Sequence, residues 1–304
     1  MEYLDEAKVR SLLTWEALIP AVERALIGLS AGKIQQPVRS VLRVPEHEGF
    51  FALMPAVDGE LMGVKLVTFY EKNVDQPTHQ AVIQLLSAKT GEPLLAMDGR
   101  LITEMRTAAA SALAVRLFAP KDARVLAILG SGVQARSHLQ ALRLVRDFAE
   151  DRVWSRTREH AERFAEEFGA TAVESAEAAV RNADVVVGVA STREPLVRGA
   201  WLRENALVCA VAAVTPDRRE LDDAAMQAAV VVESREAALR ESGDVIGSRS
   251  PIYAEIGEVL AGALPAPAGR VVFKSLGVAA ADLAAAGVVW RAWRNRANSY
   301  NKSN

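Results

Sequence analysis

Cysteine is almost missing from this 304-residue chain, with Cys209 its single copy. One cysteine excludes an internal disulfide framework and any multi-cysteine metal cluster. Histidine is nearly as scarce, with four scattered copies, which argues against a zinc enzyme and leaves no metal site to assign. Long apolar runs are absent too. The stretch 207–214 is only strand-length, far short of the roughly 18 residues that span a bilayer. Charge of one sign is not in excess either: 36 basic against 38 acidic side chains leave a net −2. Nucleic-acid binding needs a concentrated basic face, and this balance provides none. The first six residues, Met1-Glu2-Tyr3-Leu4-Asp5-Glu6, lack the basic start and apolar core of a secretory signal. These absences point to a soluble, cytoplasmic protein that engages neither nucleic acid nor membrane. What is present fits that class. Half the residues are hydrophobic and 24% are charged, too apolar for disorder. At roughly 100–200 residues per domain, the length predicts two domains.

The first third reads as a helix followed by strands. Residues 14–31 place Leu18, Val22, Ala25, Leu26 and Leu29 at helical spacing, with Gly32 as a stop and Pro20 predicting a kink or restart. Strand-like runs follow over 38–44, 50–56, 61–69, 81–87 and 93–97, separated by short breaks that suit an antiparallel or mixed sheet. Residues 103–117 are Ala-rich and helical. After Pro120 the pattern changes to alternation. Strands are expected over 124–129, 152–154, 184–190, 206–213, 229–233 and 271–275. Helices are expected over 133–148 and 158–168, with a final Ala-rich helix that ends near Trp293 and a polar, frayed tail from Arg294. Such alternation builds right-handed βαβ units and a parallel sheet covered on both faces. The predicted class is α/β.

The sharpest local signal is Gly130-Ser131-Gly132-Val133-Gln134-Ala135, a G-x-G-x-x-A between an apolar strand and a helix. The first glycine permits the tight turn, the second lets a pyrophosphate approach the backbone, and the small Ala135 allows close helix–sheet packing. The pyrophosphate would lie at the helix N-terminus, where free N–H groups and the dipole favour an anion. The competing reading is a tight turn with no ligand; the strand-turn-helix context favours the dinucleotide. The next strand then bears on the cofactor. An NAD-type site usually ends it with Asp or Glu for the ribose 2′-hydroxyl. Here it ends Val153-Trp154-Ser155-Arg156-Thr157, without an acid. Ser155 and Arg156 suit a 2′-phosphate instead. NADPH is therefore preferred over NADH. Arg158 is a second candidate, though a solvated helix-start role suits it better.

Three cations sit in or beside apolar segments: Arg39, Lys65 and Arg106. A buried charge without a partner is costly, so each calls for an explanation. Together they would bind a carboxylate and place a proton donor beside it. Taken singly, each is as readily a surface or ion-paired side chain.

The ordered motifs Gln36-Pro37-Val38-Arg39, 65–70, Met97-Asp98-Gly99, Arg106-Thr107-Ala108-Ala109, 130–135, 219–223, 241–245 and 273–277 resemble the ornithine cyclodeaminase/mu-crystallin family along nearly the whole chain. The likeness looks closest to its ketimine (imine) reductases. That resemblance implies a Rossmann-type parallel-sheet domain (120–273) inserted in an α+β substrate-binding and dimerisation domain (1–119 plus 274–304), and a homodimer formed through the latter's sheet. It implies that Arg39, Lys65 and Arg106 bind the substrate carboxylate, with Lys65 also near the reacting nitrogen. It places Phe273, Ser275, Leu276 and Gly277 near the nicotinamide. His79 falls in a shared segment and is assigned to packing, and Glu255 to a pocket rim. One departure stands out. The position of the cyclodeaminases' catalytic Asp is matched here by Val214, which can neither activate water nor take up a proton. The expected activity is thus NADPH-dependent reduction of a small cyclic ketimine carboxylate or related α-imino acid. The alternatives are an ornithine cyclodeaminase, an alanine-dehydrogenase-like enzyme and a non-catalytic, crystallin-like binder of NADPH or thyroid hormone.

Overall fold

The computed structural model describes residues 2–302, with side chains through 298. It divides into two compact units, one comprising the chain up to Arg106 and from Val278 on, the other Thr107–Gly277. The sequence reading put the divisions at 119/120 and 273/274. The unit boundaries fall instead inside a helix, just after Arg106, and at Gly277, where a positive φ of 77° turns the chain.

In the first unit a six-stranded sheet has the order β1-β6-β5-β4-β3-β2. Its strands are β1 (Tyr3–Leu4), β2 (Ser40–Val44), β3 (Gly49–Val57), β4 (Leu61–Tyr70), β5 (His79–Ser87) and β6 (Pro93–Asp98). Neighbours from β2 to β6 are antiparallel, and β1 lies parallel to β6, so the sheet is mixed. The short α1 (Glu6–Arg10) leads into α2 (Trp15–Ser30). α2 runs unbroken through Pro20, so the helix does not restart there. The ring forfeits one backbone bond, but Leu18, Val22 and Leu26 on the same helix are wholly buried. Their burial, at roughly 1.5–3 kcal/mol per large apolar side chain, outweighs that loss. The C-terminal helix, Ala279–Lys302, packs against α2 and across β3, β4 and β5. It continues well past Trp293, where fraying was expected. Arg294 stacks over Trp290 and Arg296 donates to the Ser11 carbonyl, so the polar residues hold the helix's outer turns to this unit.

The helix α3 (Arg100–Phe118) carries the chain into the second unit. There β7 (Val125–Leu129), α4 (Val133–Arg143), β8 (Glu150–Trp154), α5 (Arg158–Phe168), β9 (Thr171–Ala172), α6 (Ala176–Val180), β10 (Val185–Gly188) and β11 (Leu207–Ala210) follow. The remainder is β12 (Ala229–Val232), α7 (Arg235–Glu241), α8 (Gly243–Ser248), β13 (Ile252–Glu255), α9 (Ile256–Leu260) and β14 (Val271–Lys274). All eight strands pair in parallel in the order β13-β12-β14-β11-β10-β7-β8-β9. The fold is the α/β class with a Rossmann-type sheet. Every residue of β10, β11 and β14 is buried, as strands covered on both faces require. α4 stops at Arg143, not at 148: β8 starts two residues earlier than expected, and Ala149 and Glu150 already bond to Arg124 O. The strand order reverses beside β7, which places the β7–α4 turn at the crevice where open α/β sheets bind ligands.

Candidate functional site

In the first unit β4 carries Lys65 opposite Met54 of β3 and Ile83 of β5. Side chains alternate along a strand, so Gly63, Lys65 and Val67 share one face of β4. The C-terminal helix covers that face closely, since a Cβ on Gly63 would lie 3.3 Å from the Leu283 side chain and 2.7 Å from Gln84 O. Asp282, the neighbour of Leu283 and an acid in the helix's first turn, brings its carboxylate to the sheet. Lys65 Nζ is 2.7 Å from Asp282 Oδ2. Arg106 donates from Nε to Asp282 Oδ1 at 2.9 Å. Lys65 also reaches Thr103 Oγ1 at 3.4 Å. All three charged side chains are buried, at 2%, 5% and 2% exposure for Lys65, Arg106 and Asp282. Thr103 and Arg106 stand one turn apart on α3, which presents both to the lysine. Gln36 Oε1 accepts from Ala280 N at 2.8 Å, so the segment that carries Arg39 also caps the helix that carries Asp282. Arg39 itself lies just before β2, not within a strand as the sequence suggested, and is half-buried.

Electrostatics bind this group together. Burial is the largest influence on Lys65 and pushes its ammonium down to about 7; Asp282 raises it, whereas Arg106 and Arg39 lower it further. Asp282 is held below the usual carboxylate range by Arg106 and Lys65, against the opposing effect of burial. His79 of β5 was assigned to packing. It stands within electrostatic reach of Lys65 and Arg106, which together with its dominant burial lower the imidazole to about 4. It is therefore neutral at physiological pH. With Lys65 protonated, the buried Lys65 and Arg106 outnumber Asp282 by one charge. The group is a cationic seat, and a carboxylate is the anion its geometry suits.

In the second unit the glycine turn has the features that a dinucleotide requires. Gly130 has φ of 128°, and a Cβ there would sit 3.1 Å from Val189 and Ala190 N. A Cβ on Gly132, by contrast, would meet nothing within 4 Å, so the space beside the second glycine is open. Gly132 is the N-cap of α4 and offers no side chain to cover the first-turn N–H groups. Val133 is exposed at the helix start and Ala135 is buried against the sheet. Ser131 Oγ donates to Ser155 Oγ at 3.1 Å, which joins the turn to the end of β8. Arg156 and Thr157 follow, both exposed, with Thr157 the N-cap of α5. Arg158 pairs with Glu162 at 2.7 Å on the helix surface, the solvated role the sequence suggested. Gln134 Oε1 and Ser275 Oγ are among nine buried polar side-chain atoms with no hydrogen-bond partner among the described residues. An open second glycine, an uncapped helix start and unmet polar groups fit a dinucleotide.

Phe273 is wholly buried on β14, and Ser275 and Leu276 are buried beyond it. The turn they enter is fixed by Glu233, whose Oε2 accepts from Leu276 N at 2.8 Å and Gly277 N at 2.7 Å. Lys274 forms a second charged group, 2.6 Å from Glu220 Oε1 and 3.1 Å from Asp244 Oδ2, with all three buried. Glu220 accepts from Ala212 N and Ala213 N, and Asp244 from Glu220 N and Leu221 N. This network holds the turn after β11, where Val214 packs half-buried against the apolar core. Glu255, expected at a pocket rim, is engaged within the chain. Its Oε1 accepts from Arg235 N at 2.8 Å and its own N–H bonds Glu258, so it caps α9 and ties it to α7.

Sequence reasoning found the three cations but missed Asp282, the anion that Lys65 and Arg106 share. The signal was a lone acid in the otherwise apolar run 278–289. It also missed that Lys274, Glu220 and Asp244, which lie in three separate motifs, converge.

Comparison with known proteins identifies the family. The family model for the ornithine cyclodeaminase/mu-crystallin family matches residues 2–297. Ketimine reductase mu-crystallin of Mus musculus is 46% identical over 287 residues, covering 91% of this chain and 92% of that protein. Thermococcus litoralis Delta(1)-pyrroline-2-carboxylate reductase, solved in complex with NADH and L-proline, superposes with a TM-score of 0.93 at 34% identity over 98% of each chain. An archaeal alanine dehydrogenase dimer with bound NAD superposes with a TM-score of 0.90 at 31% identity, over 97% of this chain and 96% of that one. With its motifs, its two units and its buried cations in place, the chain belongs to the ornithine cyclodeaminase/mu-crystallin family.

Proposed function

We propose that the chain reduces the C=N bond of a cyclic ketimine carboxylate, of the pyrroline- or piperideine-2-carboxylate type, or of a related α-imino acid, to the amino acid, with NADPH as the preferred cofactor. The chain is an oxidoreductase of the nicotinamide-dependent kind that acts on C=N bonds. The observation that carries the substrate class is the convergence of Lys65 and Arg106 on Asp282, with Arg39 in electrostatic reach.

Gly130, Ser131, Gly132, Val133, Gln134 and Ala135 would hold the cofactor's pyrophosphate, Ser155, Arg156 and Thr157 the 2′-phosphate end, and Phe273, Ser275, Leu276 and Gly277 the nicotinamide end. When bound, the nicotinamide supplies the hydride. Arg106 has its Nε committed to Asp282, and its terminal nitrogens, with Arg39, take the substrate carboxylate. That fixes the imino acid's orientation. Lys65 holds a proton at Nζ. An amine poised near neutrality is both charged enough to carry that proton and acidic enough to release it to the imine nitrogen. The half-buried, neutral His79 does not compete for it. The balance is one hydride to carbon and one proton to nitrogen, with no group lost. Cyclodeamination would also have to manage ammonia loss, and Val214 has no group for it.

The oligomer proposed is a homodimer through the sheet of the first unit. Its edge strand β2 leaves Val41 and Leu42 exposed, and light scattering of the purified chain tests this. The activity is tested by following NADPH absorbance with pyrroline-2-carboxylate or piperideine-2-carboxylate. Turnover with formation of proline or pipecolate, faster with NADPH than with NADH, is expected. Binding without oxidation would leave a carrier, and ammonia release from ornithine would leave a cyclodeaminase; either result overturns the proposal.

A further inference from the structure

We propose that Asp282 is a positioning residue of the reductive site, its two carboxylate oxygens aligning the Lys65 ammonium and the Arg106 guanidinium on one anion. This rests on the reading of that site given above and adds a residue to it.

The geometry is specific. One oxygen meets Lys65 Nζ at 2.7 Å and the other meets Arg106 Nε at 2.9 Å. A carboxylate that divides its oxygens in this way fixes the distance between the two cations and the direction in which each presents its remaining donors. The helix that carries it is fixed as well. Its first turn is capped by Gln36, and it approaches β4 closely because Gly63 has no side chain. An acid in a helix's first turn is favoured by the dipole, so Asp282 stays ionised where it is needed.

The charged and titratable groups around Lys65 come from every element packed on it. They are Arg106 from α3, Arg39 from the segment before β2, His79 from β5 and Asp282 from the C-terminal helix; Thr103 on α3 adds a neutral hydroxyl. Asp282 is the one anion among them. Without it Lys65 would lie buried beside two guanidinium groups, and both burial and repulsion disfavour its charged form. The lysine would then lose its proton well below neutrality. Arg106 would lose the anchor at Nε that turns its terminal nitrogens toward a ligand.

Two measurements on the full chain test this. The 13Cε shift of Lys65, assigned by its loss in Lys65→Met, is followed against pH in the wild type and in Asp282→Asn. The midpoint should fall from near neutrality by about one pH unit or more, the scale of losing an adjacent opposite charge. In NADPH-coupled turnover the alkaline limb of kcat/KM should move the same way, KM for the imino acid should rise, and Asp282→Glu should restore part of both. An Asp282→Asn variant that folds and loses rate uniformly, with midpoint and limb unmoved, would overturn the proposal. If the wild type reduces no imino acid yet the Lys65 midpoint moves, the positioning role stands and the substrate reading fails.

Discussion

Replacing Lys65 by methionine should change stability with a particular pH signature. A lysine in the unfolded chain titrates near its ordinary 10.5, whereas folding holds Lys65 at about 7. Between those values the unfolded chain binds a proton that the folded chain does not. Stability therefore rises with pH across that window, and the penalty for charging Lys65 is complete below about 7 and gone above 10.5. One proton corresponds to about 1.4 kcal/mol per pH unit, so the pH 7–9 range alone carries roughly 2–3 kcal/mol. Methionine fills similar volume and does not titrate, so Lys65→Met lacks this slope. Its stability relative to the wild type should therefore fall by roughly 2–3 kcal/mol between pH 7 and 9, as the wild type sheds its penalty. Arg106 keeps its own bond to Asp282 in the variant. His79 and Asp282 titrate lower, outside the window. Urea melts of both proteins at pH 6, 7, 8 and 9 give the difference directly. Wild-type and variant curves that run parallel from pH 7 to 9 would show that burial does not depress Lys65, and the proton-donor assignment would go with it. The same variant should lose nearly all imine-reducing activity.

Arg156→Glu should raise KM for NADPH by about tenfold or more while leaving that for NADH little changed, since charge-assisted bonds to the 2′-phosphate are what it removes; equal effects on both cofactors would dismiss Arg156 as the discriminator. Gly130→Ala should abolish cofactor binding, read by quenching of intrinsic fluorescence. It forces a side chain into a left-handed conformation at φ 128° and against Val189 and Ala190, a strain of about 1–3 kcal/mol. Lys274→Met strands two buried carboxylates and should cost about 3–5 kcal/mol in urea unfolding, with Glu220→Gln added to it recovering part; a change below about 1 kcal/mol would refute the pairing.

Much of the site was legible because the signals were local. The glycine turn lies between a strand and a helix in continuous sequence, and its backbone demands only those residue types. Lys65 stood out because a charge on an apolar strand face has few explanations. Asp282 was invisible to the same reasoning because its partners lie 217 and 176 residues earlier in the chain, and no local periodicity marks a contact across that span. The short elements between 171 and 260 were missed for a related cause. β9 has two residues and α6 and α9 five each, too few for a period to emerge, and they exist because the sheet beside them is already formed. Pro20 shows the opposite error: a strong local signal for a break was overridden by burial of the helix's apolar face.

The two buried charged groups illustrate what separates a binding site from a structural tie. In Glu220, Lys274 and Asp244 the acids outnumber the base by one, and the excess is met within the chain. The N–H groups of Ala212, Ala213, Glu220 and Leu221 all donate to the two carboxylates. Four backbone dipoles and one ammonium leave little for a ligand to supply, so that group fixes the turn after β11. In Lys65, Arg106 and Asp282 the imbalance has the other sign. The donors that Thr103 and Asp282 leave over are N–H groups of cations, which buried backbone carbonyls satisfy only weakly compared with an anion. A buried excess of positive charge costs free energy until something negative arrives. That cost already appears as the lowered proton affinity of Lys65, and an arriving carboxylate reverses it. Binding the acid should therefore raise the affinity of Lys65 for its proton at the moment the imine is in place. On that account the alkaline limb of kcat should lie at higher pH than that of kcat/KM. Coincident limbs would mean that carboxylate and lysine do not share a seat.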